Sequence, residues 1–304
     1  MNAVESGAAK PGPATASART RLAYQGEPGA NSHIACLEVY PDCEPVALAT
    51  FEEAFAAVAA REVAYAMIPV ENSVAGRVAD IHHLMPDANL YIVGEHFLRV
   101  RHQLLAVPGA KLDTIRTVAS HVHALGQCRK TLAALGLKTV IAADTAGAAA
   151  ELARSGDKTR AAIATSLAAD IYGLQALKSD IEDEEHNTTR FLILSADPQE
   201  VAVDGGPVIT TFLFRVRNVP AALYKALGGF ATNGVNMTKL ESYQLGGRFF
   251  ATQFYADIEG HPSQRLVRLA LEELEFFTSY LRVLGVYRGS PMRAEFTRRA
   301  GSDD

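Results

Sequence analysis

Thr188-Thr189-Arg190-Phe191, running straight into Leu192-Ile193-Leu194, is the stretch on which the reading of this chain turns. Two hydroxyls and a guanidinium precede an apolar run with strand character. The segment just before, Asp180 to Asn187, is acidic and too hydrophilic for a core. A polar cluster at the mouth of a buried strand is where α/β proteins commonly place chemistry, because the sheet fixes the backbone while a loop shapes a cleft. Read alone, the stretch is an ordinary loop-to-strand junction whose arginine covers a sheet edge. The other segments of the chain decide between the two.

Upstream, strands and helices alternate. Leu22 to Tyr24 is a short apolar run ending in the turn-rich Gly26-Glu27-Pro28-Gly29-Ala30-Asn31-Ser32-His33, which leads into a helix stopped at Pro41. Thr50-Phe51-Glu52-Glu53 fits a capping box opening an Ala-rich helix. Val63 to Ile68 reads as a strand buried on both faces that ends in Pro69-Val70-Glu71-Asn72-Ser73. Tyr91 to Val107 reads as two strands with a bend, and Thr117 to Ala119 as a strand from which Ser120-His121 starts a helix running to Leu135. Asp144 and Ser166 each cap a later helix. This alternation predicts an α/β architecture with mostly parallel pairing, and the late strand at Thr189 implies that the chain crosses between two lobes more than once.

Downstream, Ala196 to Pro207 reads as a linker, after which the pattern changes to β-α-β-β-α-β over residues 208–290, the order of a ferredoxin-like domain. Its first helix carries Leu223, Leu227 and Phe230 on one face with Pro220 in its first turn, and Gly246-Gly247 signals a hairpin. Residues 1–20 and 291–304 read as tails, the first disordered.

Composition excludes several classes. A net charge of −5 without Lys/Arg clusters argues against nucleic acid and anionic membrane as partners. The three cysteines lack paired spacing and read as reduced thiols. No secretory signal and no apolar run of about 18 residues is present, so a soluble, cytoplasmic protein is expected. His82-His83 and His121-His123 do not make a metal motif, because an i, i+2 pair on a helix points its rings apart and no HExxH or paired-Cys pattern occurs. Neither GxGxxG nor GxxxxGK[ST] appears, so no nucleotide cofactor is expected.

Two further constellations stand out. Ser120 and Gln127, seven apart on one predicted helix face, can hold an anionic or hydroxyl-bearing ligand; the plainer reading is an N-cap and a solvent-facing amide. Glu71-Asn72-Ser73 at a strand end offers a primary amide for a carboxylate or hydroxyl, or is simply a polar turn.

In combination these segments are specific. Gly26 to His33, Ile68 to Ser73, Ser120-His121 with Gln127-Cys128, and Thr188 to Phe191 follow the order and spacing of prephenate dehydratases. The C-terminal half, with Leu240-Glu241-Ser242 closing a strand, resembles the ACT regulatory domain attached to them. About 20 residues precede the likeness, too few for the chorismate mutase domain fused to some relatives. The resemblance implies a bilobed catalytic domain over residues 21–197, like a type II periplasmic binding protein, a linker at 198–207 and an ACT domain at 208–290. It implies conversion of prephenate to phenylpyruvate, with loss of CO₂ and water, in phenylalanine biosynthesis, without metal or redox cofactor. By motif match Thr189 is the catalytic hydroxyl, donating to the departing oxygen, and Asn72, Ser120, Gln127 and Ser32 line the substrate site. Arg190 either offsets a substrate carboxylate or holds the loop through a carboxylate such as Glu71. The resemblance also implies phenylalanine as effector, bound between paired subunits of a homodimer or homotetramer and framed by Ala221, Ala222 and Leu223 with Glu241 and Ser242. Here Ala221 stands where Gly is usual, and Tyr243-Gln244 where Arg-Pro usually follows the serine, changes that weaken or reshape that pocket. The alternatives are an arogenate dehydratase, acting on the amino analogue, or a non-catalytic amino-acid sensor.

Overall fold

The computed structural model describes residues 19–77, 83–184, 186–204, 206–244 and 251–300. The expected N-terminal tail up to residue 18, His82 and the Gly246-Gly247 turn lie outside these.

The first lobe is built from β1 (Arg21–Gln25), α1 (Asn31–Val39), β2 (Glu44–Leu48), α2 (Phe51–Ala59), β3 (Tyr65–Asn72), β4 (Gly76–Arg77) and β5 (Tyr91–Arg99). The chain then crosses into a second lobe holding β6 (Gln103–Ala106), β7 (Thr117–Ser120), α3 (Val122–Gln127), α4 (Arg129–Ala134), β8 (Lys138–Ile141), α5 (Thr145–Ser155), β9 (Arg160–Ala164), α6 (Ser166–Tyr172) and β10 (Gln175–Lys178). It returns as β11 (Thr188–Ser195), which inserts between β3 and β5 to give the order β2-β1-β3-β11-β5, while the second lobe has β10-β6-β9-β7-β8. The crossings are stitched together by Val100 N–H donating to Asn187 O (2.8 Å) and Ile181 N–H to His102 O (2.9 Å).

Both sheets are mixed, which corrects the expectation of mostly parallel pairing. β1 runs parallel to β2 and β3, and β7 to β8 and β9, but β11 is antiparallel to both neighbours and β6 to both of its own. A strand that returns from another lobe is free of the crossover-helix constraint that keeps βαβ neighbours parallel. As the inserted central strand, β11 is buried at all eight positions. Its pleat divides the run: Phe191 and Ile193 pack with Tyr24, Cys36 and Met67 on one face, and Leu192 and Leu194 with Phe55, Val58 and Leu213 on the other. Each such side chain contributes about 1.5–3 kcal/mol of burial.

After the linker come β12 (Val208–Arg215), α7 (Ala222–Thr232), β13 (Met237–Gln244), β14 (Ala251–Glu259), α8 (Arg265–Phe277), β15 (Tyr280–Arg288) and α9 (Met292–Ala300). The sheet order β13-β14-β12-β15, all antiparallel, with α7 and α8 on one face, is ferredoxin-like. Phe212 and Phe214 point to the helices, whereas Ile209, Leu213, Tyr255, Leu284 and Tyr287 join the first lobe's core. The third domain therefore docks on the back of the first lobe's sheet. The approach is close enough that a Cβ on Gly285 would lie 2.0 Å from Ile92 O.

Local boundaries shift in six places. β3 runs through Pro69 to Asn72, and Ser120 is the last residue of β7, with His121 as the N-cap of α3. The expected helix to Leu135 is broken where Cys128 (φ −115°, ψ 17°) leaves helical backbone. Thr165, not Ser166, caps α6 by accepting from Ala168 N–H (3.0 Å). Pro220 lies outside α7, whose N-cap is Ala221 in the left-handed region at φ 60°. Finally, part of the expected C-terminal tail is α9, anchored where Arg293 forks onto both oxygens of buried Glu95 (2.5 and 2.8 Å).

Candidate active site

Between the two lobes lies a cleft of about 490 Å³. The first lobe contributes Gln25 and Gly26 after β1, Asn31 and Ser32 in the first turn of α1, Pro69 and Asn72 from β3, and Thr189 and Phe191 from β11. The second lobe adds His121 to Ala124 and Gln127 around α3, and Asp144 and Thr145 where α5 begins; Val100 and His102 come from the crossing. Gly29 explains part of this closeness. It has φ 91°, a Cβ there would come within 2.7 Å of Ala168 in α6, and its carbonyl accepts from Thr165 Oγ1 (2.5 Å).

Neither Lys nor Arg is among the described lining residues. The source of positive potential is backbone: the N-termini of α1, α3 and α5 all lie on the cleft, with His121 taking one first-turn N–H of α3 and Asp144 one of α5. Ala30 makes no side-chain cap on α1, whose first residues Asn31 and Ser32 line the cleft. Burial lowers the pKa of three histidines in or beside the cleft, His33, His102 and His121. Burial pushes His102 down, against the opposing pull of Gln127 and Glu182, and its Nε2–H donates to Gln127 Oε1 (2.8 Å). Burial and neighbouring His123 lower His121, partly offset by Asp144. His33, lowered by burial, accepts from Gly29 N–H (3.1 Å) and stacks on Tyr24.

The first-lobe wall is organised by Asn72. Its side-chain oxygen accepts from Val74 N–H (3.0 Å) and Ala75 N–H (2.8 Å). Backbone N–H groups only donate, so the amide cannot be flipped, and its Nδ2 must face the other way. Nδ2 donates to Thr189 Oγ1 (3.0 Å) and Asn187 Oδ1 (2.7 Å). Ser73 secures the neighbouring turn, donating to His186 O (2.7 Å) and accepting from Thr188 N–H (2.9 Å). Thr189 Oγ1 thus receives a hydrogen bond, which leaves its own hydrogen free to donate.

The description "prephenate dehydratase" matches residues 22–199. The chain belongs to that family. It is 49% identical to a bifunctional N-acyl-homoserine lactone acylase/prephenate dehydratase of Komagataeibacter europaeus, covering 90% of this chain and 97% of that one. It is 41% identical to an arogenate dehydratase/prephenate dehydratase of Arabidopsis thaliana, covering 88% and 73%. A solved prephenate dehydratase of Arthrobacter aurescens in complex with L-Phe superposes with TM-score 0.81 at 28% identity, over 93% of this chain and 98% of that one.

Within this prephenate dehydratase fold, Asn72, Gln127, Thr189 and Ser32 come together in the cleft. Three expected site residues do not. Ser120 is fully buried behind the wall, its hydroxyl donating to Ile163 O (2.7 Å), because β7 continues one residue further than the sequence suggested. Glu71 and Arg190 alternate with Asn72 and Thr189 along paired strands and so face the sheet's other side. There Arg190 donates to Glu71 (2.9 Å), Glu95 (2.8 Å) and Asp257 (2.7 Å), and Glu71 also pairs with Lys239 (2.7 Å). Of the two roles open to Arg190, this is the carboxylate-holding one, extended to a second domain. The His121 and His123 rings do not point apart: they meet edge to face at 4.9 Å, because His121 is an extended N-cap outside the helix. Among the described residues no cluster of three His, Cys, Asp or Glu is arranged for a metal ion.

Sequence reasoning missed His102, Asn31, Asn187 and the α9 anchor. Asn187 carried a signal, since it shares the two-residue period with Thr189. In the third domain, Ala221, Ala222 and Leu223 open α7. Glu241 turns toward the first lobe, pairing with Arg77 (2.9 Å) and, in short contacts, Lys239 and Tyr243, while neighbouring Ser242 is exposed. No described helix is long and apolar enough to cross a membrane.

Proposed function

We propose that the chain catalyses the decarboxylating dehydration of prephenate to phenylpyruvate, with Thr189 as the proton donor. The observation that carries this is the Asn72 amide, locked by two backbone donors and aimed at Thr189 Oγ1. The chemistry follows from it. As the ring C–O bond of prephenate breaks, the Thr189 hydrogen passes to the departing oxygen. The bond to the ring carboxylate supplies the electron pair that makes the ring aromatic, and CO₂ leaves. Asn72 N–H stabilises the oxygen that remains on Thr189, which takes a proton back from the released water and sends hydroxide to solvent. Free ionisation of a threonine is too costly, so donation is concerted with C–O cleavage. Positioning supplies much of the remaining rate, because the product is aromatic and the reaction strongly downhill.

The cleft also supports the substrate class. Converging helix N-termini suit a dianion without a fixed cation. The one described acidic residue in the lining, Asp144, is committed to capping α5 through Gly147 N–H (2.6 Å). Among the described lining residues an ammonium group would find no carboxylate besides Asp144, which supports the keto substrate over arogenate. The acylase activity in the relative's name calls for an activated nucleophile, yet no described hydrogen bond joins Ser32, Thr145 or Thr189 to a histidine, and all three cysteines are buried.

Phenylalanine control through the ferredoxin-like domain, acting as an ACT domain in a paired homo-oligomer, completes the reading. The charged layer of Arg190, Glu71, Lys239 and Glu241 supports it by joining that domain to the residues beside Thr189 and Asn72. We place the enzyme in the cytoplasm, where free buried thiols stay reduced. The test is an ultraviolet assay of aromatic product with purified chain and, in turn, prephenate and arogenate, beside an assay of free amine released from an acyl-homoserine lactone. Rapid phenylpyruvate formation from prephenate is expected; turnover of arogenate alone, or of the lactone alone, refutes the assignment.

A further inference from the structure

Asn187 is 1% exposed and stands two residues before Thr189, at the far end of the amide chain that begins with Val74 and Ala75. Its orientation is as determined as that of Asn72. Asn72 presents a hydrogen, at 2.7 Å, so Asn187 must present its oxygen. Its Nδ2 is then turned away and has no partner among the described residues. Asn187 lines a second cavity of about 210 Å³, on whose wall Gln127 also lies. The backbone at Asn187 is pinned as well, its carbonyl accepting from Val100 N–H (2.8 Å) at the lobe crossing. The group facing Asn72 is therefore an oxygen on a fixed frame, with nothing further asked of its amide nitrogen by the protein.

Asn72 has two amide hydrogens, and Thr189 needs only one. If the second were unheld, the two backbone donors on the Asn72 oxygen would still forbid a flip, but the amide plane could rock about its soft terminal torsion, and the hydrogen bond to Oγ1 would lose part of its direction. We propose that Asn187 is a positioning residue for the dehydration: its Oδ1 holds the second Asn72 hydrogen, fixes the plane in which Asn72 donates to Thr189, and so turns the Thr189 hydrogen toward the leaving oxygen. This inference rests on Thr189 being the proton donor. Asn187 is not itself among the residues lining the cleft and its side chain makes no hydrogen bond to Thr189, so it acts through Asn72, on orientation and not on substrate affinity.

The distinguishing pair is Asn187→Ala, which deletes the oxygen, and Asn187→Asp, which keeps an oxygen in the same place while losing the spare N–H₂. Steady-state kinetics on prephenate are read beside thermal melts. Ala lowers kcat about 10- to 100-fold with KM within about threefold, the scale of lost alignment. Asp restores kcat to within about threefold of the parent, while its added negative charge raises KM for the dianion. A kcat for Asn187→Ala within twofold of the parent, or an Asp variant no better than Ala, overturns the proposal. Should Asn187→Ala fail to fold, the Asp variant decides alone: near-parental kcat supports the role and a tenfold loss ends it. A parent chain active on prephenate but indifferent to Asn187 sinks only this inference, whereas a parent inactive on prephenate removes the Thr189 reading and this one with it.

Discussion

Arg190→Met removes the pin between the catalytic sheet and the ferredoxin-like domain, and its cost can be worked from the contacts. Arg190 is 3% exposed and donates to Glu95 through Nε (2.9 Å), to Glu71 (2.9 Å) and Asp257 (2.7 Å) through Nη1, and to Tyr287 OH (3.0 Å) through Nη2. Burial alone would lower its pKa, but Asp257, Tyr287, Tyr255 and Glu95 carry it well above the ordinary value. Methionine keeps the stem and leaves three carboxylates short of a partner. The loss is partial, because Glu95 keeps Arg293, Glu71 keeps Lys239 and Asp257 keeps Thr211 Oγ1 (2.6 Å). Removing one member of a buried ionic cluster costs about 3–5 kcal/mol, against a total stability of roughly 5–15 kcal/mol. At about 2–4 °C per kcal/mol for a large domain, Tm should fall on the order of 10 °C by calorimetry near neutral pH. The pH dependence has a definite sign. Burial raises the carboxyls of Glu71 and Glu95, yet the cations beside them (Lys239 and Arg190 for Glu71, Arg293 and Arg190 for Glu95) bring both below the ordinary 4.5. Their stabilisation is thus present above that value and lost as pH falls through the lower folded-state value, and Arg190→Met should flatten this acid slope. A Tm change under about 2 °C with an unaltered acid slope would refute the docking argument.

Two smaller tests address the third domain. Ala221 sits at φ 60°, a conformation that costs an L-residue about 1–2 kcal/mol, so Ala221→Gly should raise stability by roughly 0.5–1 kcal/mol after glycine's own entropy loss; a lower Tm contradicts the strain argument. Gly285→Ala would drive a methyl to 2.0 Å from Ile92 O, backbone that cannot swing aside, and should cost about 1–3 kcal/mol in a denaturant melt. An unchanged midpoint would mean that β15 does not press on β5 as described.

Much of this architecture was readable from local rules. The Thr50/Glu53 capping box forms in both directions, and Asp144 caps α5. The β-α-β-β-α-β order is found as expected, with amphipathic helices α7 and α8 packed on the apolar face of β12 and β14. What failed depended on partners far away in sequence. Nothing local says that β11 inserts antiparallel between β3 and β5, since that pairing is made by a chain returning from another lobe. α9 is a strongly charged segment that reads as a tail until Glu95, nearly 200 residues earlier, receives Arg293. The site shows the same division. Thr189 and Arg190 adjoin in sequence and were grouped together, but the pleat sends one to the cleft and the other to the domain interface. A two-residue period applied strictly would have separated them, and would have paired Asn187 with Thr189. Ser120 was misplaced by one residue of strand, enough to bury its hydroxyl.

The central claim is that the Thr189 hydroxyl supplies the proton, and kcat on prephenate for Thr189→Val beside Thr189→Ser tests it most directly. Valine fills the same volume without the oxygen and should lower kcat by about two or more decades, while serine, which retains the hydroxyl, should recover most of it. Turnover by the valine variant within about threefold of the parent would contradict the mechanism.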